Sequence, residues 1–250
     1  MVFESISNNK VHLLLKLIKN FILFFLIIFV ILSVIIPVFN EKKNLQFLFP
    51  KLLKFLKQHF KSFEIIIIDS FSKDGSYELA KLYTPNVWRC EKGKGIALKK
   101  GIEKAKGDVL VFLDADLSHR IEEIKNFMKY IKYFDIVKGS RFLKGGGSED
   151  LTYLRKLLNF LVVKIVNFLL GSNFTDICYG YFCVKKEKLS RLNLVSDGFE
   201  IETEIFIKAW KKGYKIKEIP SFEEKRKYGK GKLRIMRDGL RILKVIIKNC

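Results

Sequence analysis

Asp114 and Asp116 stand one residue apart at the end of an apolar run, in the stretch VLVFLDADLSHR from Val109 to Arg120. Two carboxylates at this spacing, with a turn between them, can flank one hard cation. Mg2+ or Mn2+ takes one or two such ligands and completes its shell with substrate phosphates. A divalent ion held there would neutralise charge building on a departing nucleoside diphosphate. Alone, the tripeptide reads equally well as a turn or helix-cap pair. Its company raises it: Asn40-Glu41 follows SVIIPVF, and Asp69 closes FEIIIID.

Three such groups can meet only if the runs that carry them lie side by side. The runs are uninterrupted and β-branched, as in parallel strands covered on both faces. Between them lie helical stretches at Leu45–His59, Asp74–Leu82, with Asp74 as N-cap, and Gly95–Ala105. The order β-α-β-α-β predicts an α/β, doubly wound, mostly parallel sheet, with ligands beyond the carboxyl ends of its strands. PVFNEKKN, where a dinucleotide site needs its first glycines, contains none. Further on, FDIVKGSRF predicts a short strand before the loop LKGGGSED and a helix over Leu151–Leu170. CYGYFCVKK and KIKEIPSF predict strands on either side of a helix from Glu200 to Lys212.

The chain has 250 residues, 49% hydrophobic, enough for a sizeable core, and a formal net charge of +21. Such an excess points to an anionic partner. Cys90, Cys178, Cys183 and Cys250 form no C-x-x-C pair, which argues against structural zinc and fits reduced thiols. Residues 21–39 carry no charge and follow Lys10, Lys16 and Lys19. Because SVIIPVF reads as a strand, about a dozen apolar residues remain before it, roughly 18 Å of helix against a bilayer core of ~30 Å. We read a helix that dips into one leaflet; a tilted span, a buried core helix and a cleaved leader are its rivals. In the tail, Arg234, Arg237, Arg241, Lys244 and Lys248 recur at helical spacing beside Leu233, Met236, Leu240, Leu243 and Ile247. That pattern suits a basic amphipathic helix on anionic lipid, or a solvated face of a packed helix. The expected division is 1–32, an N-terminal membrane-associated helix; 33–231, the catalytic domain; and 232–250, the tail helix.

In this order, SVIIPVFNE, the IDSFSKDGS block, GKGIALKKGIEKAKGDVLVFLDADL, GSRFLKGGG and FEIETE resemble glycosyltransferase family 2, of the GT-A fold. Within it they look most like the polyprenyl (dolichyl) phosphate mannose or glucose synthases, over Ser33 to about Leu243. The resemblance implies inverting transfer of a hexosyl unit from a nucleotide-diphosphate sugar to a lipid phosphate on the cytoplasmic face of the cell or ER membrane. It implies that Pro37, Phe39 and Glu41, with Ile68, Asp69 and Ser70, line the nucleoside pocket. Asp114 and Asp116 match the metal site for Mg2+ or Mn2+, with Ala115 at the diphosphate. Arg141 and Arg155 match arginines for acceptor or donor phosphate, and Glu204 an acidic residue on the following helix. Arg226 and Lys232 match a segment that closes over the diphosphate. Three positions depart from the pattern: Ser70 stands for a second aspartate, Gly231 for a serine, and the proline after the metal motif is missing at Arg120-Ile121.

The chemistry is reasonable on its own terms. A polyprenyl phosphate is already ionised at neutral pH, so the protein needs no strong base. It must bring two anionic groups together, which calls for a cation, arginines and exclusion of water. His12, His59 and His119 are scattered, and His119 reads as a loop histidine. A soluble or glycan acceptor and an inactive membrane scaffold are the competing readings. A nucleic-acid binder is disfavoured, because the basic residues flank apolar helical faces and no recognition motif is present.

Overall fold

The computed structural model describes residues 31–250. The helix expected over 1–32 lies outside them, apart from its last two positions, and Leu32 already opens a strand. The strands are β1 Leu32–Val38, β2 Phe63–Asp69, β3 Val87–Arg89, β4 Val109–Phe112, β5 Ile136–Ser140, β6 Gly147–Ser148, β7 Phe182–Lys185, β8 Ile216–Pro220 and β9 Phe222–Glu223. Seven form one sheet in the order β3-β2-β1-β4-β7-β5-β8. All its pairings are parallel except those of β7, which runs antiparallel between β4 and β5. β6 and β9 make a separate two-stranded ribbon. The expectation of a mostly parallel α/β sheet holds.

The helices are α1 Lys42–His59, α2 Ser76–Lys81, α3 Lys94–Lys104, α4 Ile124–Tyr130, α5 Tyr153–Leu170, α6 Lys186–Leu189, α7 Ile201–Lys211 and α8 Ile235–Asn249. One core lies between the sheet and α1, with Leu45, Leu48, Leu52 and Leu56 facing Val34, Ile36, Ile65 and Ile67. The other face packs Ile35, Ile66 and Ile68 against Ala97 and Leu98 of α3 and Ile205 of α7. Alternate residues of β1 and β2 thus serve opposite cores, and this is why both strands are apolar throughout. Gly75, at a left-handed φ of 85°, rather than Asp74 caps α2, and Asp74 acts from one residue earlier. Its Oδ1 accepts from Ser76 N, while Oδ2 accepts from Lys42 N at 2.9 Å and satisfies the start of α1.

Register sets the working edge. Val38 pairs with Asp69, and Ile35 with Phe112, so Asn40-Glu41, Asp69 and the acidic tripeptide leave the sheet at the same end. α8 carries two apolar stripes. Ile246 is buried and Ile242 packs on the second core, whereas Met236, Leu240, Leu243 and Ile247 face outward.

Candidate active site

β1 ends in a sharp turn at Asn40, whose φ of 53° is left-handed. Its amide donates to Ser72 Oγ and its Oδ1 accepts from Lys73 N, so the turn is tied to the loop after β2. Asp69 is fully buried at the tip of β2. Its Oδ2 accepts from Ser72 N at 3.0 Å, but Oδ1 has no partner among the described residues. A buried carboxylate oxygen without a donor is costly. It is suited to receive an N–H or O–H from a ligand. Ser70 is also buried, beside Cys90 Sγ. Pro37 and Ile68 are partners in the β1–β2 register just below, and Phe39 lies under the ammonium of Lys92 at 4.2 Å.

After β4 the chain turns through Asp114, Ala115 and Asp116, with Leu117 at a left-handed φ of 68°. A bulky residue held there is strained, as functional turns often are. Asp116 Oδ1 accepts from Ser118 N and Oγ and fixes the turn. His119 is buried rather than free in a loop. It stacks on Tyr181 with ring centroids 4.4 Å apart, and its Nδ1 accepts from Asp114 N. Burial lowers its pKa, which keeps it neutral as that acceptor role requires.

Lys94, at the start of α3, reaches both oxygens of Asp114 at 2.9 and 3.1 Å and Glu202 Oε1 at 2.7 Å. Burial opposes its charge, but Asp114 and Glu202 outweigh that and raise its pKa. Asp114 is likewise held below the usual carboxylate range: burial works against the charge, and Lys94 overrides it. Burial pushes the Glu202 carboxyl up. Glycine makes the arrangement possible: a Cβ on Gly180 would lie 2.6 Å from Glu202 Oε1, and one on Gly95 2.3 Å from Ser196 O.

The loop after β9 covers this edge. Glu224 N donates to Ser118 O. Arg226 places Nη2 2.9 Å from Asp116 Oδ2 and Nη1 2.9 Å from Glu41 Oε1. Lys232 donates to Phe39 O and Glu41 Oε1. Glu41 in turn accepts from Asn44 Nδ2, and Asn44 holds Tyr228 N. Burial would lower the Arg226 pKa, yet Asp116 and Glu41 raise it.

The expected residues Glu41, Asp69, Asp114, Asp116, Arg226 and Lys232 therefore converge. Three others do not. Arg141, with a side chain 4% exposed, spends Nε and Nη2 on Asp176 and Nη1 on Glu223, so all three of its guanidinium nitrogens are paired within the chain. Glu204 turns its carboxylate to Val195 N, Ser196 N and Lys208. Glu202, two residues earlier on α7, is the carboxylate that meets Lys94, because helix neighbours two apart point about 200° from one another. Arg155 pairs with Asp150 at 3.1 Å, near the start of α5, and touches none of the strand-end carboxylates. Reading the sequence missed Lys94 and Glu202; the K between two glycines in EKGKGIA was the available signal.

Asp114 and Asp116 fit a divalent cation by their chemistry: two hard oxygen donors whose charges are at present balanced by Lys94 and Arg226. No cluster of three His, Cys, Asp or Glu ligands occurs among the described residues. That suits Mg2+ or Mn2+ completed by phosphate better than an all-protein cage. A cavity of about 1230 Å³ opens at the opposite, amino edge among Lys61, Lys106, Lys125 and Lys129, and contains none of these groups.

The pattern of glycosyl transferase family 2 matches residues 33–192. A dolichol-phosphate mannosyltransferase of Pyrococcus furiosus is 35% identical over 208 residues, covering 80% of this chain and 58% of that protein. The chain thus spans little more than half of that relative's length. An undecaprenyl-phosphate mannosyltransferase of Micrococcus luteus is 28% identical, covering 79% of this chain and 85% of that one. Among solved structures, glucosyl-3-phosphoglycerate synthase from Mycobacterium tuberculosis with phosphoglyceric acid superposes with a TM-score of 0.72 at 17% identity, over 89% of this chain and 80% of that one. The same synthase with Mn2+, uridine diphosphate and its glucosylated product gives 0.70 at 16% identity, with the same coverage.

Proposed function

The chain belongs to glycosyl transferase family 2, and from that premise we propose that it moves a hexosyl unit, mannosyl or glucosyl, from a nucleotide-diphosphate sugar to a polyprenyl (dolichyl) phosphate, with inversion, at the cytoplasmic face of a membrane. The observation that carries the reading is the meeting, at one sheet edge, of two carboxylates for a cation with two basic side chains, Arg226 and Lys232, on a covering loop. The polyprenyl acceptors of the two similar mannosyltransferases support the choice of substrate.

Asp114 and Asp116 would hold Mg2+ or Mn2+, the ion found with uridine diphosphate in the M. tuberculosis synthase. Such an ion, when bound, supplies Lewis-acid neutralisation of the diphosphate. Asp69 Oδ1, buried without a donor among the described residues, receives a polar hydrogen of the nucleoside. Arg226 and Lys232 exchange their contacts with Asp116 and Glu41 for diphosphate oxygens, and the loop then excludes water. Lys94 keeps Asp114 aimed at the crevice. Arg155, held only by a part-exposed pair, is available to the acceptor phosphate, while Arg141 positions the loop through Asp176 and Glu223. The phosphate oxygen attacks the anomeric carbon from the face opposite the diphosphate, which leaves with the bonding pair.

The test is incubation of the purified chain and Mn2+ with mixed polyprenyl phosphates and a panel of nucleotide sugars, followed by mass spectrometry. A glycosylated lipid phosphate is expected. Transfer confined to a water-soluble acceptor would contradict the proposal.

A further inference from the structure

The amino edge of the sheet, opposite the candidate active site, gathers charge that the chain does not balance. The cavity of about 1230 Å³ opens there, beside the residues that lead into β2 and β4. Lys61, Lys106, Lys125, Lys129 and Lys132 line it, all exposed and none ion-paired among the described residues. Their neighbours Lys185 and Lys186 are engaged, the first with Asp135 Oδ1 at 3.6 Å and the second with Ala105 O. Two carboxylates share the wall, Asp108 and Glu187, and Asp108 Oδ2 already accepts from Ile31 N. Residues 1–30 do not restore the balance, because Glu4 is their one acid against Lys10, Lys16 and Lys19.

Helix ends explain part of this charge. α1, α3 and α4 finish at this edge, where the helix dipole favours cations, and His59, Lys104 and Lys129 occupy their last turns. Lys61, Lys106 and Lys132 come after those turns, and Lys125 stands in the first turn of α4, where the dipole opposes it. Lysines crowded beyond that need repel one another and destabilise the fold unless an anion gathers them. Phe60, Val109, Met128 and Ile131 share the lining, and the volume exceeds the ~300–1,000 Å³ of ordinary ligand clefts. We propose that this cavity is a second anion site, for a molecule that carries a chain of linked phosphates. It is distinct from the diphosphate crevice: β2 runs from Phe63, next to Ser62 of the cavity wall, to Asp69 at the crevice, roughly 20 Å away. At the crevice the cations are matched, Lys94 by Asp114 and Arg226 by Asp116, whereas the five lysines of the amino edge are free to meet phosphate.

The site is independent of the transfer reaction, and its test requires no turnover. Sodium tripolyphosphate is titrated into the full chain by calorimetry at about 0.15 M ionic strength. EDTA is present, so that no divalent ion assists the carboxyl edge. Saturable binding of one equivalent is expected. The triple substitution K61Q/K125Q/K132Q, at exposed positions, should weaken it about tenfold, the sum of three exposed charge contacts. R226A/K232A, at the other edge, should leave the affinity unchanged. In a second arm ATP replaces tripolyphosphate. Binding at least about threefold tighter and equally sensitive to the triple substitution would identify a nucleoside-bearing source that uses the apolar lining. Equal or weaker binding with the same sensitivity would identify the phosphate chain alone, and either result upholds the site. Absence of binding would overturn the proposal. So would binding lost in R226A/K232A, which would put the ligand in the crevice. Unchanged binding by the triple variant would reduce it to diffuse attraction by the net charge of +21 and overturn it as well.

Discussion

The carboxyl edge of the sheet and the outward face of α5 and α8 solve opposite problems. At the edge, charges are dense and most are matched within the chain: Lys94 with Asp114 and Glu202, Arg226 with Asp116 and Glu41, Arg141 with Asp176 and Glu223. On the helical face, large apolar side chains stay exposed among the described residues. The difference teaches where each region's specificity resides. A ligand at the edge must exchange with ion pairs already made, so geometry and charge decide. A partner on the face need only remove apolar surface from water, so shape matters little and area decides.

The sharpest way to break this contrast is at Lys94. Removing one member of a buried ionic cluster leaves the others uncompensated, at a cost of about 3–5 kcal/mol. K94M should therefore lower the urea midpoint strongly, whereas L157S on the helical face should change it little. Equal losses would dissolve the distinction. Next is D114N, which keeps the shape of the site but removes a cation ligand. Transfer should fall by roughly 10²–10³-fold, as for other losses of transition-state charge stabilisation, with a smaller loss of stability than K94M because Lys94 keeps Glu202. Smaller is R226A. Loss of one partly exposed cation from the covering loop should raise KM for the nucleotide sugar by about tenfold, the order of one charge-assisted hydrogen bond. An unchanged KM would leave the loop a purely structural cover.

The smallest effect concerns Glu123, which accepts from Ser221 Oγ and Phe222 N at the foot of the β6–β9 ribbon. Burial pushes its pKa up despite those bonds. A carboxyl with a raised folded pKa contributes most below its unfolded value near 4.5 and loses that contribution as pH rises through the folded one. E123Q should thus be more stable than the wild type at pH 8 by under about 1 kcal/mol, with the gain vanishing near pH 4. Chemical denaturation at the two pH values reads it.

The first half of the fold was legible because its strands are buried on both faces. β1, β2 and β4 are continuous apolar runs, and a polar residue ending such a run must lie at a sheet edge. Glu41, Asp69, Asp114 and Asp116 could be found in this way. β3, three residues long, and the antiparallel insertion of β7 leave no periodic trace. Pairing was harder to read than position. FEIETE offers Glu200, Glu202 and Glu204 with equal claims, and only the docking of α7 against Gly180 decides that Glu202 meets Lys94. Arg141 follows its strand as expected, yet Asp176, distant in sequence, captures it. In α8 two apolar stripes coexist, and the sequence does not say which one the domain takes.

The strand-end carboxylates are tested most directly by titrating a nucleoside diphosphate into the wild-type chain and into D114N and D116N, each with and without Mn2+, by calorimetry. In the wild type, Mn2+ should tighten nucleotide binding by about tenfold or more, and either substitution should abolish that gain while leaving the metal-free affinity nearly intact. Full Mn2+ dependence in both variants would place the cation elsewhere and contradict the assignment of Asp114 and Asp116.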